Sequence, residues 1–144
     1  MSISNSEPED IVAFTVLGLT PPSVNHVYQP TMYTGRDGYA HRGRKLSDEA
    51  KAFKYAVAIF ARGRTVTPRK EKERKRARYS AEINVVLGPG QRGDEDNFYK
   101  VGIDALTYAG VIHTDAFLTS KVNVIRDDRT HPRTEYLVTR LETK

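Results

Sequence analysis

Carboxylates and one lysine are concentrated around a predicted helix start between residues 93 and 104. Asp96, Lys100 and Asp104 are spaced four residues apart, so they share one face of a helix, and Asp94 precedes them. A cluster of carboxylates repels itself unless a cation neutralises it, and hard oxygen ligands suit Mg²⁺ or Mn²⁺ better than Zn²⁺. A magnesium-dependent phosphodiesterase needs this arrangement, although acidic residues also favour the first turn of any helix.

The other side of this predicted helix is apolar. Phe98, Val101, Ala105 and Ala109 recur there at helical spacing, and Ile103 interrupts the pattern. We therefore expect the helix to bury one stripe in the core. It should present a carboxylate, an ammonium group and a second carboxylate along the opposite stripe.

Two motifs together resemble the signature of the RusA-type Holliday junction resolvases, the crossover junction endodeoxyribonucleases often carried by phages and prophages. The first motif is Pro21-Pro22-Ser23-Val24-Asn25, which follows a predicted strand. The second runs Asp94-x-Asp96-Asn97-x-x-Lys100, then Asp104-Ala105-Leu106, Ala109-Gly110 and Asp115. The similarity covers residues 11 to 142, but between residues 45 and 78 it consists only of a helix followed by a basic stretch.

The resemblance implies three metal-binding aspartates, one catalytic lysine and two supporting residues. The implied metal-binding aspartates are Asp94, Asp96 and Asp115, the implied catalytic lysine is Lys100, and the supporting residues are Asn97 and Asp104. It further implies Mg²⁺, with Mn²⁺ as a substitute, and a homodimer that resolves four-way DNA junctions by paired symmetric nicks in recombination and repair. The chain departs from the family pattern at Gly93, Glu95 and Thr114, which leaves the number of metal ions and their affinity open.

Basic side chains are concentrated in residues 62 to 78, which carry a net charge of +7 within a chain of net charge +5. Such a block suits phosphate binding by counterion release, or it is simply a solvated, partly disordered loop. Tyrosines alternate with basic residues around position 40. These side chains suit contact with DNA, or the tyrosines merely pack the loop. The predicted DNA-binding residues are Asn25, Arg42, Arg44, Lys45, Arg69, Lys70, Lys72, Arg74, Lys75 and Arg76.

Asn25 has two interpretations. Pro21 and Pro22 hold the backbone extended after the first strand, so its amide is either presented to the site or used to close a turn.

The composition is that of one small domain. A chain of 144 residues is long enough for one core, and no apolar run reaches the ~18 residues of a membrane span, so we expect a cytoplasmic protein. There are no cysteines, which excludes disulfides and thiolate zinc sites, and the four scattered histidines are not expected to be ligands. Residues 1–10 are predicted to be a disordered tail and residues 11–144 the nuclease domain.

Hydrophobic periodicity predicts an α+β fold with a mixed sheet packed by two helices, in the order β, small hairpin, α, β, α, β, β. The strands are predicted at residues 11–17, 79–87, 120–126 and 134–141, and the last two are expected to pair as an antiparallel hairpin. A short hairpin or tight loop is predicted at 33–39. The first helix is predicted to begin after Ser47 and to end at Gly63.

A glycine-rich motif just before the predicted helix suggests a different function. Residues 88–93 read G-x-G-x-x-G between a strand and a helix, which is formally a dinucleotide-binding fingerprint. In that fold the pyrophosphate binds at the helix N-terminus, where Asp94, Glu95 and Asp96 would repel it, so no nucleotide cofactor is expected. A calcium-binding EF-hand fails because Phe98 and Tyr99 occupy positions of a ligand and of the invariant glycine.

Two other functions stay open on the sequence. One is a nuclease for forks, flaps or other branched DNA. The other is a junction-binding protein without catalysis.

Overall fold

The computed structural model describes residues 7–22, 28–88, 91, 95–126 and 131–141, with the backbone alone for residues 28–31, 41–46 and 95–97. Nine elements follow one another along the described chain. They are β1 (Ile11–Leu17), β2 (Tyr28–Thr34), β3 (Ala40–Leu46), α1 (Asp48–Ala61), α2 (Glu71–Arg76), β4 (Arg78–Leu87), α3 (Glu95–Tyr108), β5 (Leu118–Arg126) and β6 (Arg133–Leu141). The α+β class is confirmed. No helix in the described ranges is long and apolar enough to cross a membrane.

Four strands form one mixed sheet in the order β1-β6-β4-β5. β4 pairs with β5 in parallel and with β6 in antiparallel orientation, and β1 pairs with β6 in antiparallel orientation. The predicted β5–β6 hairpin is therefore wrong, because β4 lies between these two strands. A turn signal between strands indicates only that the chain reverses. The pairing partner of the next strand is instead decided by tertiary structure, because the strand pairs where its apolar residues complete the core.

One face of the sheet is covered by α1 and α3, which pack side by side. Alternate residues of β4, from Tyr79 to Leu87, are buried on this face, and so are Val12 and Val16 of β1. Phe14 and Tyr136 stack across the β1–β6 pair with their ring centroids 5.0 Å apart. The core therefore lies between this face and the two helices.

The predicted boundaries of α1 are confirmed. The Ser47 hydroxyl accepts a hydrogen bond from the backbone N–H of Ala50 at 3.2 Å and caps the first turn. At the other end Arg62 and Gly63 both adopt positive φ, and the N–H of Arg62 donates to the Ile59 carbonyl. The helix ends where a left-handed backbone first becomes favourable.

A hairpin is confirmed at the predicted place, but it is longer than residues 33–39, since β2 and β3 form a separate two-stranded antiparallel sheet over residues 28–46. Gly38 has a φ of 80° in the connecting turn, which favours glycine there, and the Asp37 carboxylate accepts from the N–H of Tyr39 at 2.9 Å. Helix α2 was not predicted from the sequence. This six-residue helix lies inside the basic block and buries none of its residues, so no hydrophobic period indicates it.

The first described residues are held against the domain by ion pairs. Glu9 lies 2.9 Å from Arg64, and this guanidinium lowers the pKa of the Glu9 carboxyl. Asp10 lies 2.6 Å from Arg140 of β6. Residues 1–6 of the predicted disordered tail lie outside the described ranges.

Tyr136 connects the sheet to α3. Its side chain is 2% exposed, and its hydroxyl donates to the carbonyl of Gly102 at 2.9 Å. We expect Tyr136→Phe to keep the stacking on Phe14 and to lower the free energy of unfolding by about 1 kcal/mol, the usual net worth of one buried hydrogen bond. Urea unfolding measures this change. Tyr39→Phe is the matched control because Tyr39 is 72% exposed, and an equal decrease in both variants would contradict the prediction.

Candidate active site

The two ends of β4 divide the candidate residues into two groups. β4 runs from Arg78 to Leu87, and α3 then returns antiparallel to it before β5 starts beside Tyr79. We call these the Leu87 end and the Tyr79 end of the sheet. Eight residue steps separate them, about 26 Å along an extended strand.

The Leu87 end holds Pro21 and Pro22 of the first motif and the beginning of the second. A groove of about 450 Å³ is lined there by Pro21 and Pro22 of the first motif, Phe98 of the second, Leu87, and Phe53 of α1. Pro21 also lies against Gly102, one turn further along α3. The structure therefore brings together two motifs separated by more than 70 residues of sequence.

Gln91 links the segments around this groove. Its side-chain oxygen accepts from the N–H of Gly88 at 2.8 Å, and its amide nitrogen lies 3.5 Å from the Thr20 hydroxyl. In the sequence, Gln91 belongs only to the competing glycine motif. Its amide joins the lead-in to α3 to the loop after β1, a role that only the tertiary contact reveals.

The stripe predicted for α3 is confirmed. Phe98, Val101, Ala105 and Ala109 are buried, and so is Ile103, which widens the buried side beyond the prediction. Asp96 is the second residue of this helix.

The opposite stripe of α3 faces outward where its side chains are described. Lys100 is exposed one turn after Asp96, and Asp104 is half-buried a turn later. An acidic residue and a cation thus follow one another near the Leu87 end.

Part of the predicted site lies outside the described residues. This holds for Asn25 and Asp94, and for the side chains of Asp96, Asn97, Arg42, Arg44 and Lys45.

Asp115 lies at the Tyr79 end. Its carbonyl accepts from the N–H of Leu118, the first residue of β5, and the carbonyl of Phe117 accepts from the N–H of Tyr79. The Asp115 side chain is exposed on this turn. Asp96 is separated from Tyr108, at the opposite end of α3, by about 18 Å of helix.

Within one chain, the backbone places Asp96 in the first turn of α3 and Asp115 seven residues after the end of this helix, on the turn before β5. Among the residues whose side chains are described, no three His, Cys, Asp or Glu side chains are grouped to hold a metal ion. The assignment of Asp94, Asp96 and Asp115 as metal ligands stays a prediction, because Asp94 and the side chain of Asp96 lie outside the described part of the chain.

No family model matches this chain, and no curated protein matches it at a significant level. Its function is therefore inferred from the motifs, from the groove that joins them and from the distribution of charge.

The basic block is concentrated at the Tyr79 end, because α2 leads directly into β4. Five of the six cations predicted there are exposed, namely Arg69, Lys70, Lys72, Lys75 and Arg76. Arg74 differs. It is half-buried, and its guanidinium donates to the carbonyls of Pro68 and Arg69, so it supports the loop before α2.

Some of the exposed cations already have acidic neighbours. Arg69 lies 3.2 Å from Glu7 and Lys75 lies 3.6 Å from Glu71, and all four side chains are largely exposed. Exposed pairs of this kind contribute little, so a phosphate group can replace either carboxylate at small cost.

The turn that carries Asp115 is anchored by two contacts that the sequence did not predict. His113 Nδ1 lies 2.6 Å from the buried Tyr79 hydroxyl, and the Arg78 guanidinium lies 5.3 Å from the centre of the Phe117 ring. Burial, together with the nearby Arg74 charge, lowers the pKa of His113.

Proposed function

We propose that this protein is a metal-dependent endonuclease for branched DNA, and that its substrate is the four-way Holliday junction. The observation that carries the proposal is the groove at the Leu87 end, where the Pro21-Pro22 segment meets the start of α3. These are the two motifs that resemble the RusA-type resolvases. If the resemblance to this family were accidental, there would be no reason for segments of the two motifs to lie next to each other in the fold. Their proximity therefore supports the proposal.

The donor atoms available at the start of α3 fit Mg²⁺ or Mn²⁺. Asp94 and Asp96 offer hard carboxylate oxygens, and the chain has no cysteine to favour a softer metal. When bound, such an ion supplies charge stabilisation at the scissile phosphate and a more acidic water molecule. Asp96 and Asp94 would hold it, and Asn97 and Asp104 would support the helix that presents them.

Lys100 supplies the positive partner of these carboxylates. Its side chain is exposed one turn after Asp96, so it can reach a phosphate oxygen at the mouth of the site. The exposed cations of the basic block would bind the DNA backbone and so contribute affinity without reading sequence.

We expect Lys100→Ala to lower the rate of junction cleavage about 10²-fold or more, because one preorganised charge next to the transition state contributes roughly 3 kcal/mol. Binding should change less than threefold. Single-turnover cleavage and a gel-shift titration measure the two quantities. Lys51→Ala is the matched control on the exposed side of α1, and a Lys100 variant that loses affinity but not rate would contradict the assignment.

Strand cleavage of a synthetic mobile four-way junction tests the proposed function. The same assay should include linear duplex, a fork and a flap, each in Mg²⁺ and in EDTA. Paired symmetric nicks that require Mg²⁺ and occur only in the junction would support resolution. Faster cutting of forks or flaps would assign the other nuclease function, and tight junction binding without cleavage in Mg²⁺ or Mn²⁺ would assign a binding protein.

A two-fold junction has two equivalent strands to cut, so we propose that the protein acts as a homodimer with one site for each strand. Sedimentation of the protein with and without junction DNA tests this directly. A strict monomer would contradict resolution but not nuclease chemistry.

A further inference from the structure

The β2–β3 hairpin differs from the rest of the domain in the side chains that it exposes. Its two strands contact each other and share few contacts with the other described elements. Near its turn, Met32, Tyr33 and Tyr39 are 62%, 54% and 72% exposed. Large apolar side chains that are grouped on a surface, rather than scattered over it, indicate an interaction site.

The two tyrosines share one face of the hairpin. Tyr33 pairs with His41, and Tyr39 stands two residues before His41. The backbone of Tyr39 continues the strand, because its carbonyl accepts from the N–H of Gly35 across the turn at 2.9 Å. Alternate residues of a strand share a face, so both tyrosines lie opposite to the face of Met32, about 7–8 Å apart as diagonal neighbours. Both rings can therefore contact one planar partner.

The turn holds this tyrosine face in place. The N–H of Gly38 donates to the carbonyl of Gly35 at 3.0 Å, and the Asp37 carboxylate accepts from the N–H of Tyr39. A surface whose backbone is already fixed loses little conformational entropy when a ligand binds. The exposed tyrosines are therefore presented on a preformed surface.

The charge of the hairpin indicates a nucleic-acid partner. Between residues 28 and 46 the chain has one acidic residue, Asp37, and four basic residues, namely Arg36, Arg42, Arg44 and Lys45. Basic residues bind phosphates, and aromatic rings beside them stack on bases. A hairpin that combines exposed tyrosines with an excess of cations therefore suits DNA.

The hairpin also begins and ends beside the candidate site. β2 begins six residues after Pro22, and β3 is followed directly by Ser47, the cap of α1. Pro22 and Phe53 of α1 both line the groove at the Leu87 end. A strand of seven residues spans about 23 Å, so the turn can contact DNA well beyond a phosphate that is bound at the groove.

We propose that Tyr33 and Tyr39 stack on bases at the branch point of the junction, an inference that rests on the proposed function. Inside a linear duplex the face of each base is covered by its neighbours, and it becomes accessible where stacking is interrupted. Stacking is interrupted where the arms of a junction meet. The hairpin thus distinguishes branched from linear DNA without reading sequence, because every base has an aromatic face.

The affinity for a junction relative to that for a duplex tests the proposal. Replacing both tyrosines by alanine should weaken binding of a fixed four-way junction at least about tenfold and binding of linear duplex less than about threefold, because stacking contributes only where a base face is accessible. Tyr33→Phe combined with Tyr39→Phe retains both rings and should bind the junction with wild-type affinity. Gel-shift titrations in EDTA measure these affinities without cleavage.

Met32→Ala is the matched control, because it removes an exposed side chain from the other face of the same hairpin. It should leave both affinities unchanged. An equal loss of junction binding in this control would overturn the proposal. An alanine double variant that loses equal affinity for junction and duplex would also overturn it, and would indicate that the hairpin binds a groove or the backbone of duplex DNA.

Photochemical cross-linking gives a second readout, on the unaltered protein. Iododeoxyuridine cross-links to an aromatic side chain that is stacked on it, and it is placed either at the branch point or in the middle of one arm. Tyr33 or Tyr39 should be cross-linked from the branch point and neither from the arm. Cross-linking of neither tyrosine, or equal cross-linking from both positions, would overturn the proposal. If the same protein still cuts the junction, the nuclease function stands, whereas a protein that cuts no branched DNA in Mg²⁺ or Mn²⁺ would count against that function itself.

Discussion

Asp96→Asn is expected to abolish junction cleavage while leaving junction binding unchanged or slightly tighter. The substitution removes one anionic ligand of the proposed metal site, which costs roughly 4 kcal/mol of transition-state stabilisation, or about 10³-fold in rate. It also removes one negative charge from the first turn of α3, which should weaken electrostatic repulsion of DNA phosphates and so retain affinity. Cleavage under single-turnover conditions and a gel-shift titration in Ca²⁺ or EDTA separate the two effects.

Asp48→Asn is the matched control for this variant. Like Asp96, Asp48 lies in the first turn of a helix, but it begins α1 and belongs to neither motif, and its side chain is exposed. The control should cleave at the wild-type rate. If the Asp96 variant did so as well, the assignment of Asp96 as a ligand would be wrong, and the acidic residues at the start of α3 would serve only to stabilise the helix.

The second large effect is expected from the exposed cations at the Tyr79 end. Replacing Lys70, Lys72, Lys75 and Arg76 by glutamine should weaken junction binding at least tenfold, and should lower the slope of log affinity against log salt by about 0.9 for each DNA phosphate that these cations neutralise. Glutamine keeps the helix propensity of α2, so the fold is preserved. Affinity measured between about 50 and 200 mM salt gives both numbers, because counterion release acts strongly over this range.

The matched control removes the same kind of charge elsewhere. Lys51 on α1 and Lys121 on β5 are exposed and lie outside the basic block. Glutamine at these two positions should change the salt slope by less than about 0.9, the value for one neutralised phosphate. An equal effect in the control and in the α2 variant would show that net charge, rather than a surface at the Tyr79 end, determines affinity.

Local structure was predictable where local chemistry determines it. β1 was predicted at its observed bounds because a run of seven mostly apolar, β-favouring residues precedes two prolines. α1 was predicted because Ser47 caps its first turn and Gly63 permits the left-handed backbone after its end. The buried stripe of α3 followed from a period of 3.6 residues. The burial of Ile103 did not, because the width of the side that neighbouring elements cover depends on tertiary packing.

The sequence by itself determined the residue types of the candidate site, the two motifs that carry the resemblance, and most helices and strands, since these depend on neighbours in the chain. Tertiary structure alone decided which strands pair and which motif residues meet. A helix that connects two parallel strands must return to the starting end of the first strand, so Asp115 is carried away from Asp96 to the opposite end of the sheet. The same folding brings Pro21 to Phe98 across a distance in sequence that no local pattern spans.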